Sequence, residues 1–257
     1  GERPDDPPLK VGFPVIDVAV GMLGALAITS ALHRRNQDGV GQRIDASMVQ
    51  ASLMLMYPNA SSFLSSGVEP QRVGNRGYTG SPTADTYRCV DGWLATAANT
   101  PAQFRNFVGV LGLDALCNDA RALDLDLFNS PAGGFVVARD LDYLRACFRE
   151  AFASRSAADM EARLNAVGVP AARVRTLGEF LRETDGMGHV NLPDFRYTQG
   201  GRTVRTAGLG FDSAQDGGPS AHGAETLGQS TRDVLAGLGV SPELMDRLAK
   251  AGVLKAG

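Results

Sequence analysis

The hydrophobic pattern of the chain is dominated by one apolar stretch, residues 18–32. Its side chains are Val, Ala, Met, Leu, Ile, Gly, Thr and Ser, so the predicted helix has no polar face and must be packed in protein on nearly every side. Gly21 and Gly24 indicate close backbone contact along it. Asp17 stands at its start, shortly after Pro14, where an N-cap carboxylate accepts hydrogen bonds from first-turn N–H groups.

Short strands and amphipathic helices are predicted along the rest of the chain. Asp91-Gly92 marks a hairpin turn, while Ser156 and Ser241 are predicted helix caps. In chain order we predict a strand over residues 41–48, a helix over 48–66, a hairpin over 84–98, helices over 102–111, 141–153 and 157–166, a strand within 168–174, a hairpin over 194–206, and two helices within 225–254.

Composition narrows the class of protein. With 257 residues, 44% hydrophobic and 21% charged, the chain is typical of a soluble protein with a real core. A net charge of -3 without a Lys or Arg run predicts no nucleic-acid or anionic-membrane partner. The longest apolar run, roughly 15 residues, is interrupted by Thr29 and Ser30 and falls short of the roughly 20 that span a bilayer. No signal peptide precedes it, so we expect a cytoplasmic protein.

The cysteines and one polar loop were considered as further candidate functional sites. Cys89, Cys117 and Cys147 are odd in number and far apart, which fits neither a disulfide framework nor a zinc site and predicts no metal. The composition becomes polar and glycine-rich over residues 65–82, which marks a boundary or a mobile loop. On the residues alone, this loop is a flexible connection, and Asp17 is either a structural cap or a reactive carboxylate.

Several motifs resemble one family. They are P-x-x-D-x-x-x-G over residues 14–21, A-L-x-x-R over 31–35, G-x-G-Q-x-x-D-x-S over 39–47, P-x-x-D-T-Y-x-C-x-D-G over 82–92, G-V-P-A-A-x-V over 168–174, and the segment 227–254. Together they resemble the class III CoA transferases, the group of formyl-CoA transferase, carnitine CoA-transferase and 2-methylacyl-CoA racemase. The resemblance covers residues 14–254.

The resemblance implies an α/β fold with a discontinuous, Rossmann-like large domain and an inserted, smaller α+β domain. Residues 1–66 would be the central part of the large domain with the catalytic helix, residues 67–190 the small domain, and residues 191–257 the return to the large domain. No G-x-G-x-x-G loop occurs in the chain, so we expect the N-terminal half of the large domain to be supplied by a longer protein or another chain.

The resemblance also implies a chemistry. Asp17 matches the family's catalytic residue, and Gly74, Asn75, Gly77 and Gly80 match a glycine-rich loop that closes over the substrate. The substrates would be an acyl-CoA and a free carboxylic acid, with coenzyme A as a substrate, no other cofactor, and a homodimer as the complete protein.

Two alternatives remain open at this stage. A 2-methylacyl-CoA racemase would use an Asp and a His to exchange the α-proton. The racemases carry a Glu just before the Pro that matches Pro101, where this chain has Thr100. Alternatively, the chain is a catalytically incomplete fragment or a structural subunit that needs an N-terminal partner.

Overall fold

The structure, a computed structural model, describes residues 5–77, 80–184, 194–199, 202–207, 210–211, 215 and 223–255. It has a mixed α/β fold whose residues divide into two compact units, Gly1–Val174 and Arg175–Gly257. The elements of the first unit are α1 (Val15–Asp38), α2 (Met48–Leu55), α3 (Tyr57–Ser66), β1 (Asp85–Cys89), β2 (Gly92–Thr96), α4 (Pro101–Leu111), a 3-10 helix (Asp114–Asn118), α5 (Leu125–Phe128), α6 (Leu141–Ala153), α7 (Ala157–Ala166) and β3 (Ala171–Arg173).

The first three helices follow the apolar part of the sequence. α1 is 24 residues long and ends at Gly39, which adopts a left-handed conformation (φ 74°) and donates its N–H to the Arg35 carbonyl at 2.8 Å. The single helix predicted over residues 48–66 is wrong, because Met56 separates α2 from α3. Pro58 explains the break, since it has no N–H to donate to the fourth residue before it.

The strand predicted over residues 41–48 is also wrong. Residues 41–47 have no regular secondary structure, and Met48 begins α2. A strand needs a neighbouring strand for its hydrogen bonds, and the described residues provide none here. Ser47 instead caps α2, accepting a hydrogen bond from the Gln50 N–H at 3.2 Å.

The hydrophobic core of the first unit lies between the three-stranded sheet and helices α4, α6 and α7. The predicted hairpin is confirmed: β1 and β2 pair antiparallel from Asp85↔Thr96 to Cys89↔Gly92, and β3 pairs with the other edge of β2. Tyr87 stacks on Phe152 at 4.7 Å between ring centroids, and Phe107 meets Phe148 edge-on at 5.1 Å. Every member of this core cluster lies between residues 87 and 169, so α1–α3 contribute nothing to it.

Polar side chains join the sheet to the helices at two places. At the hairpin turn, the Asp91 carboxylate accepts hydrogen bonds from the Ser156 hydroxyl at 2.7 Å and the Ala157 N–H at 2.6 Å, fixing the start of α7. Ser156 also caps α7 as predicted. Between β1 and α6, Arg145 contacts the Asp85 carboxylate at 2.8 Å in a pair whose side chains are only 12% and 5% exposed.

The elements of the second unit are α8 (Leu177–Thr184), β4 (Asp194–Gln199), β5 (Arg202–Ala207), α9 (Thr231–Gly237) and α10 (Pro242–Lys250). The sequence predicted all of them except α8. β4 and β5 form the predicted antiparallel hairpin, although its turn lies outside the described residues. The Ser241 side chain caps α10 with Pro242 in the first turn, also as predicted.

α1 has no buried residue, although its sequence is apolar from Val18 to Leu32. Five of its large hydrophobic side chains are between 43% and 69% exposed: Val18, Met22, Leu26, Ile28 and Leu32. Gly21 and Gly24 have no atom within 4 Å of an added Cβ, so the close contact predicted for them is not made here. In the described residues, α1 is also the one helix long and apolar enough to cross a membrane, so helix length does not separate it from a membrane span.

Candidate active site

An open groove of about 890 Å³ lies at the N-terminal end of α1. One wall is the segment that leads into the helix, residues 10–17, and the other is the start of α2 with Met48, Val49 and Ser52. Contact between α1 and α2 holds the two walls together. Because hydrophobic side chains dominate both walls, the few polar groups decide what the groove can bind.

Asp17 lines this groove, but it is not the N-cap of the helix. Pro14 occupies the N-cap position and α1 begins at Val15, so Asp17 is the third residue of the helix. No side chain caps this end, which makes the predicted capping role wrong. The turn formed by the Val15 N–H and the Phe13 carbonyl, 2.8 Å apart, starts the helix earlier than expected. The Asp17 carboxylate is therefore exposed in the groove without a structural hydrogen bond among the described residues.

The first turn of α1 also supplies backbone donors. The Val18 N–H makes the first helical bond, to the Pro14 carbonyl at 3.1 Å, and the Val15 N–H is used by the turn before the helix. The N–H groups of Ile16 and Asp17 precede the first helical bond, and helices leave such groups for side chains, water or ligands. The partial positive charge of a helix N-terminus favours negative charge at this position.

Two further polar side chains line the groove, and sequence analysis overlooked both. The Ser52 hydroxyl donates a hydrogen bond to the Met48 carbonyl within α2 at 2.8 Å, so it does not donate to a ligand in this conformation. Lys10 is the one cation among the lining residues. Lys10 ends a Pro-rich segment that resembles a linker. In the sequence, only the short distance to Pro14 and Asp17 could have indicated that Lys10 lies at the groove.

The described residues of the glycine-rich loop include two left-handed glycines and a backbone hydrogen bond. Gly74 and Gly80 have left-handed conformations (φ 63° and 73°), and the Gly77 N–H donates to the Ala84 carbonyl at 2.8 Å. The residues that line the groove do not include Gly74, Asn75, Gly77 or Gly80, so the structure does not place them beside Asp17. Their role in substrate binding stays a prediction. Arg72, in the same loop, donates a hydrogen bond to the Asp6 carbonyl in the segment before the groove.

Thr100, at the position where the racemases carry Glu, has a structural role. Its hydroxyl accepts a hydrogen bond from the Gln103 N–H at 3.3 Å, and the Gln103 side chain accepts one from the Thr100 N–H at the same distance. The two form a capping box at the start of α4.

Comparisons with known proteins agree on one family. An acyl-CoA transferase of Fusarium pseudograminearum is 24% identical over 257 residues, which is 99% of this chain and 54% of that protein. A succinate–glutarate CoA-transferase of Agrobacterium fabrum is 32% identical over 122 residues, covering 46% of this chain and 30% of that protein. The crystal structure of a CAIB/BAIF family protein from Brucella suis is similar in fold, with a TM-score of 0.64 at 24% identity over 92% of this chain and 58% of that one.

These matches also show how much of a family member the chain represents. It spans about half the length of the Fusarium and Brucella proteins. The sequence model described as CoA-transferase family III matches residues 1–231, which include α1, the groove and the hydrophobic core. This match extends over most of the chain, and the chain therefore belongs to CoA-transferase family III.

Proposed function

We propose that the protein transfers coenzyme A from an acyl-CoA to a free carboxylic acid, with Asp17 as the nucleophile. The observation that carries this proposal is the placement of Asp17, an exposed carboxylate in the first turn of a helix that is apolar from Val18 to Leu32, in a groove of about 890 Å³. Family membership supports the reaction class, and the Agrobacterium relative is named as a transferase that acts between two carboxylic acids.

In the proposed reaction, the Asp17 carboxylate binds first the acyl group of the donor and then coenzyme A, and the acceptor acid reverses both steps. Asp17 attacks the thioester carbonyl, the carbon–sulfur bond breaks, and a mixed anhydride and the CoA thiolate result. The thiolate attacks the aspartyl carbonyl, releasing the first acid and leaving an aspartyl-CoA thioester. The incoming acid attacks this thioester, the carbon–sulfur bond breaks, and a second anhydride and the CoA thiolate result. The thiolate then attacks the carbonyl of the new acyl group, which gives the new acyl-CoA and frees the Asp17 carboxylate.

The first turn of α1 fits the electrostatic need of these steps. Each attack places negative charge on a carbonyl oxygen, and backbone N–H groups fixed before the reaction stabilise such charge. The N–H groups of Ile16 and Asp17 belong to the groove-lining turn and are the donors we assign to it. A thioester is already activated, so we propose coenzyme A as a substrate and no additional metal or organic cofactor.

The exposed surface of α1 supports a proposal about assembly. Five large apolar side chains on one helix, each at least 43% exposed, would be unfavourable in water. We propose that the complete protein covers them with the remainder of a discontinuous, Rossmann-like large domain, into which the smaller α+β domain is inserted, and with a second copy in a homodimer. The family match includes α1, which favours burial in protein over insertion in a membrane and agrees with a cytoplasmic location.

Replacement of Asp17 tests the proposed function. In the full-length protein, Asp17→Asn should abolish CoA transfer, measured by thioester exchange over a panel of acyl-CoA donors and free acids. Asp45→Asn is the matched control, because Asp45 is also exposed but pairs with Arg43 at 3.1 Å and does not line the groove. Transfer by Asp17→Asn at the rate of the control would refute the assignment.

A further inference from the structure

The chain passes from the glycine-rich loop into β1 through a buried polar contact. Pairing between β1 and β2 ends at Asp85↔Thr96, and Thr83 lies opposite Ala98, two residues beyond that pair in the same register. Here the Thr83 hydroxyl donates to the Ala98 carbonyl at 2.6 Å and accepts from the Ala98 N–H at 3.0 Å. A side chain therefore replaces the backbone as the partner of Ala98, so the chain turns out of the sheet at Thr83 without leaving buried backbone groups unpaired.

Two neighbouring hydroxyls extend this contact. The Thr96 hydroxyl donates to the Thr83 carbonyl at 2.6 Å, and the Ser81 and Thr83 hydroxyl oxygens are 3.3 Å apart. None of the three residues is more than 6% exposed. A buried network of paired polar groups holds its backbone rigid, and removal of one hydroxyl leaves its buried partners unpaired. Residues 81–85, the buried anchor, therefore form a fixed end for the loop.

Hydrogen bonds join the glycine-rich loop both to the buried anchor and to the segment before the groove. The Gly77 N–H donates to the Ala84 carbonyl, inside the anchor, at 2.8 Å. On the other side of the loop, the Arg72 side chain donates to the Asp6 carbonyl. Asp6 lies four residues before the segment 10–17, which forms one wall of the groove. The loop thus connects a rigid part of the sheet with the chain that enters the groove.

We infer that Thr83 and Arg72 are positioning residues for CoA transfer, with Thr83 fixing the base of the glycine-rich loop and Arg72 coupling that loop to the wall that carries Asp17. The inference rests on the proposed function, in which Asp17 is the nucleophile. The residues that line the groove include neither Thr83 nor Arg72, so both act through the backbone. Loss of either contact lets the wall move, and a displacement of about 1 Å at a reacting group costs about 100-fold in rate.

Removal of the Thr83 hydroxyl separates positioning from stability. In the full-length protein, Thr83→Val should lower kcat for CoA transfer roughly 10- to 100-fold, measured where the variant is folded, and Thr83→Ser should restore most of it. Ser156→Ala is the matched control, because Ser156 bonds Asp91 at the opposite end of the same hairpin. Both Thr83→Val and Ser156→Ala should lower the urea midpoint, but Ser156→Ala should keep the wild-type kcat.

Removal of the Arg72 contact is the second test. Arg72 is exposed, so Arg72→Met should leave the urea midpoint unchanged and lower kcat by about 10-fold. Arg139→Met is the matched control, because Arg139 is also exposed and donates to a backbone carbonyl, that of Ala120 at 3.5 Å, and neither residue lines the groove. The Arg72 result decides the inference if Thr83→Val does not fold.

A double variant tests whether the two residues act through the same loop. Losses of kcat multiply when two sites are independent, whereas Thr83→Val with Arg72→Met should lose less than the product of the single losses. Wild-type kcat in either folded single variant, or a double variant with the full product, would overturn the inference. A wild type that transfers CoA from no acyl-CoA would instead refute the proposed function.

Discussion

Removal of Arg145 should destabilise the core far more than removal of an exposed arginine. Arg145 donates from Nε at 2.9 Å to one oxygen of Asp85, and a terminal nitrogen of its guanidinium forms an ion pair with the same oxygen at 2.8 Å. The other oxygen of Asp85 accepts the Thr86 N–H at 2.8 Å. Since the Asp85 side chain is 5% exposed, Arg145→Met leaves a buried carboxylate without its cation. We expect a loss of about 3–5 kcal/mol in the free energy of unfolding.

Urea denaturation of the full-length protein measures this loss. Trp93 on β2 is the single tryptophan of these 257 residues, so the fluorescence that a Trp93→Phe variant lacks reports on the sheet that contains Asp85. The midpoint should fall by roughly 1–2 M urea. The matched control, Arg139→Met, removes the partner of Asp124 from a pair whose side chains are 52% and 28% exposed and should cost no more than about 1 kcal/mol.

A double variant distinguishes the unpaired charge from lost packing. Asp85→Asn combined with Arg145→Met removes both charges and retains an oxygen for the Thr86 N–H, so it should be more stable than Arg145→Met alone. If Arg145→Met costs no more than the Arg139 control, or if the double variant is the less stable of the two, the reasoning about the buried pair is refuted.

Three further predictions concern the apolar helix, the hairpin turn and the glycine-rich loop. Replacing Met22 and Leu26 by Lys should reduce the binding of a hydrophobic dye to the 257-residue chain and the self-association of that chain. In the full-length protein, the same replacements should disrupt the dimer, which sedimentation measures. Hydrogen bonds from the Ser156 hydroxyl and the Ala157 N–H keep the pKa of the Asp91 carboxyl below its usual value. The ionised carboxylate therefore contributes its full stabilisation of the fold above about pH 4, and this contribution is lost as the pH falls through the lower folded pKa. In Asp91→Asn, the urea midpoint should fall less steeply with decreasing pH. Hydrogen exchange over residues 72–82 should slow when acyl-CoA binds.

Each of these predictions has a control and a contrary result. Leu177, 73% exposed in the second unit, is the control for the α1 substitutions, and equal effects from Leu177→Lys would show that any exposed apolar residue drives association. Parallel loss of stability below pH 4 in wild type and Asp91→Asn would contradict the hydrogen-bonded carboxylate. Unchanged exchange over residues 72–82, with slowed exchange at the groove, would contradict a loop that closes on the substrate.

Local sequence signals predicted local structure well. The Asp91-Gly92 hairpin, the caps at Ser156 and Ser241, and the helices of the core depend on neighbouring residues, and the structure confirms them. The strand predicted over residues 41–48 failed because alternation does not supply a pairing partner. Asp17 was misplaced as a cap because the turn at Phe13 starts the helix three residues earlier, which no simple sequence signal specifies.

Contacts between distant residues could not be predicted in the same way. Asp85 and Arg145 are 60 positions apart, and Asp91 and Ser156 are 65 apart, so their pairing emerges only from the packing of α6 and α7 on the hairpin. The groove could not be predicted from the sequence for the same reason. Lys10 and Asp17 are close in sequence, but Met48 and Val49 line the groove with them only because α1 and α2 are in contact.

The most direct test of the account is chemical detection of coenzyme A on Asp17. The full-length protein is incubated with acyl-CoA without an acceptor acid, quenched in acid, and digested for peptide mass spectrometry, with a parallel sample treated with hydroxylamine. The account predicts a CoA adduct on the peptide that contains Asp17, converted to a hydroxamate at that residue by hydroxylamine and absent from Asp17→Asn. An adduct on another carboxylate, such as Asp45, or productive CoA transfer with Asp17 unmodified throughout, would contradict it.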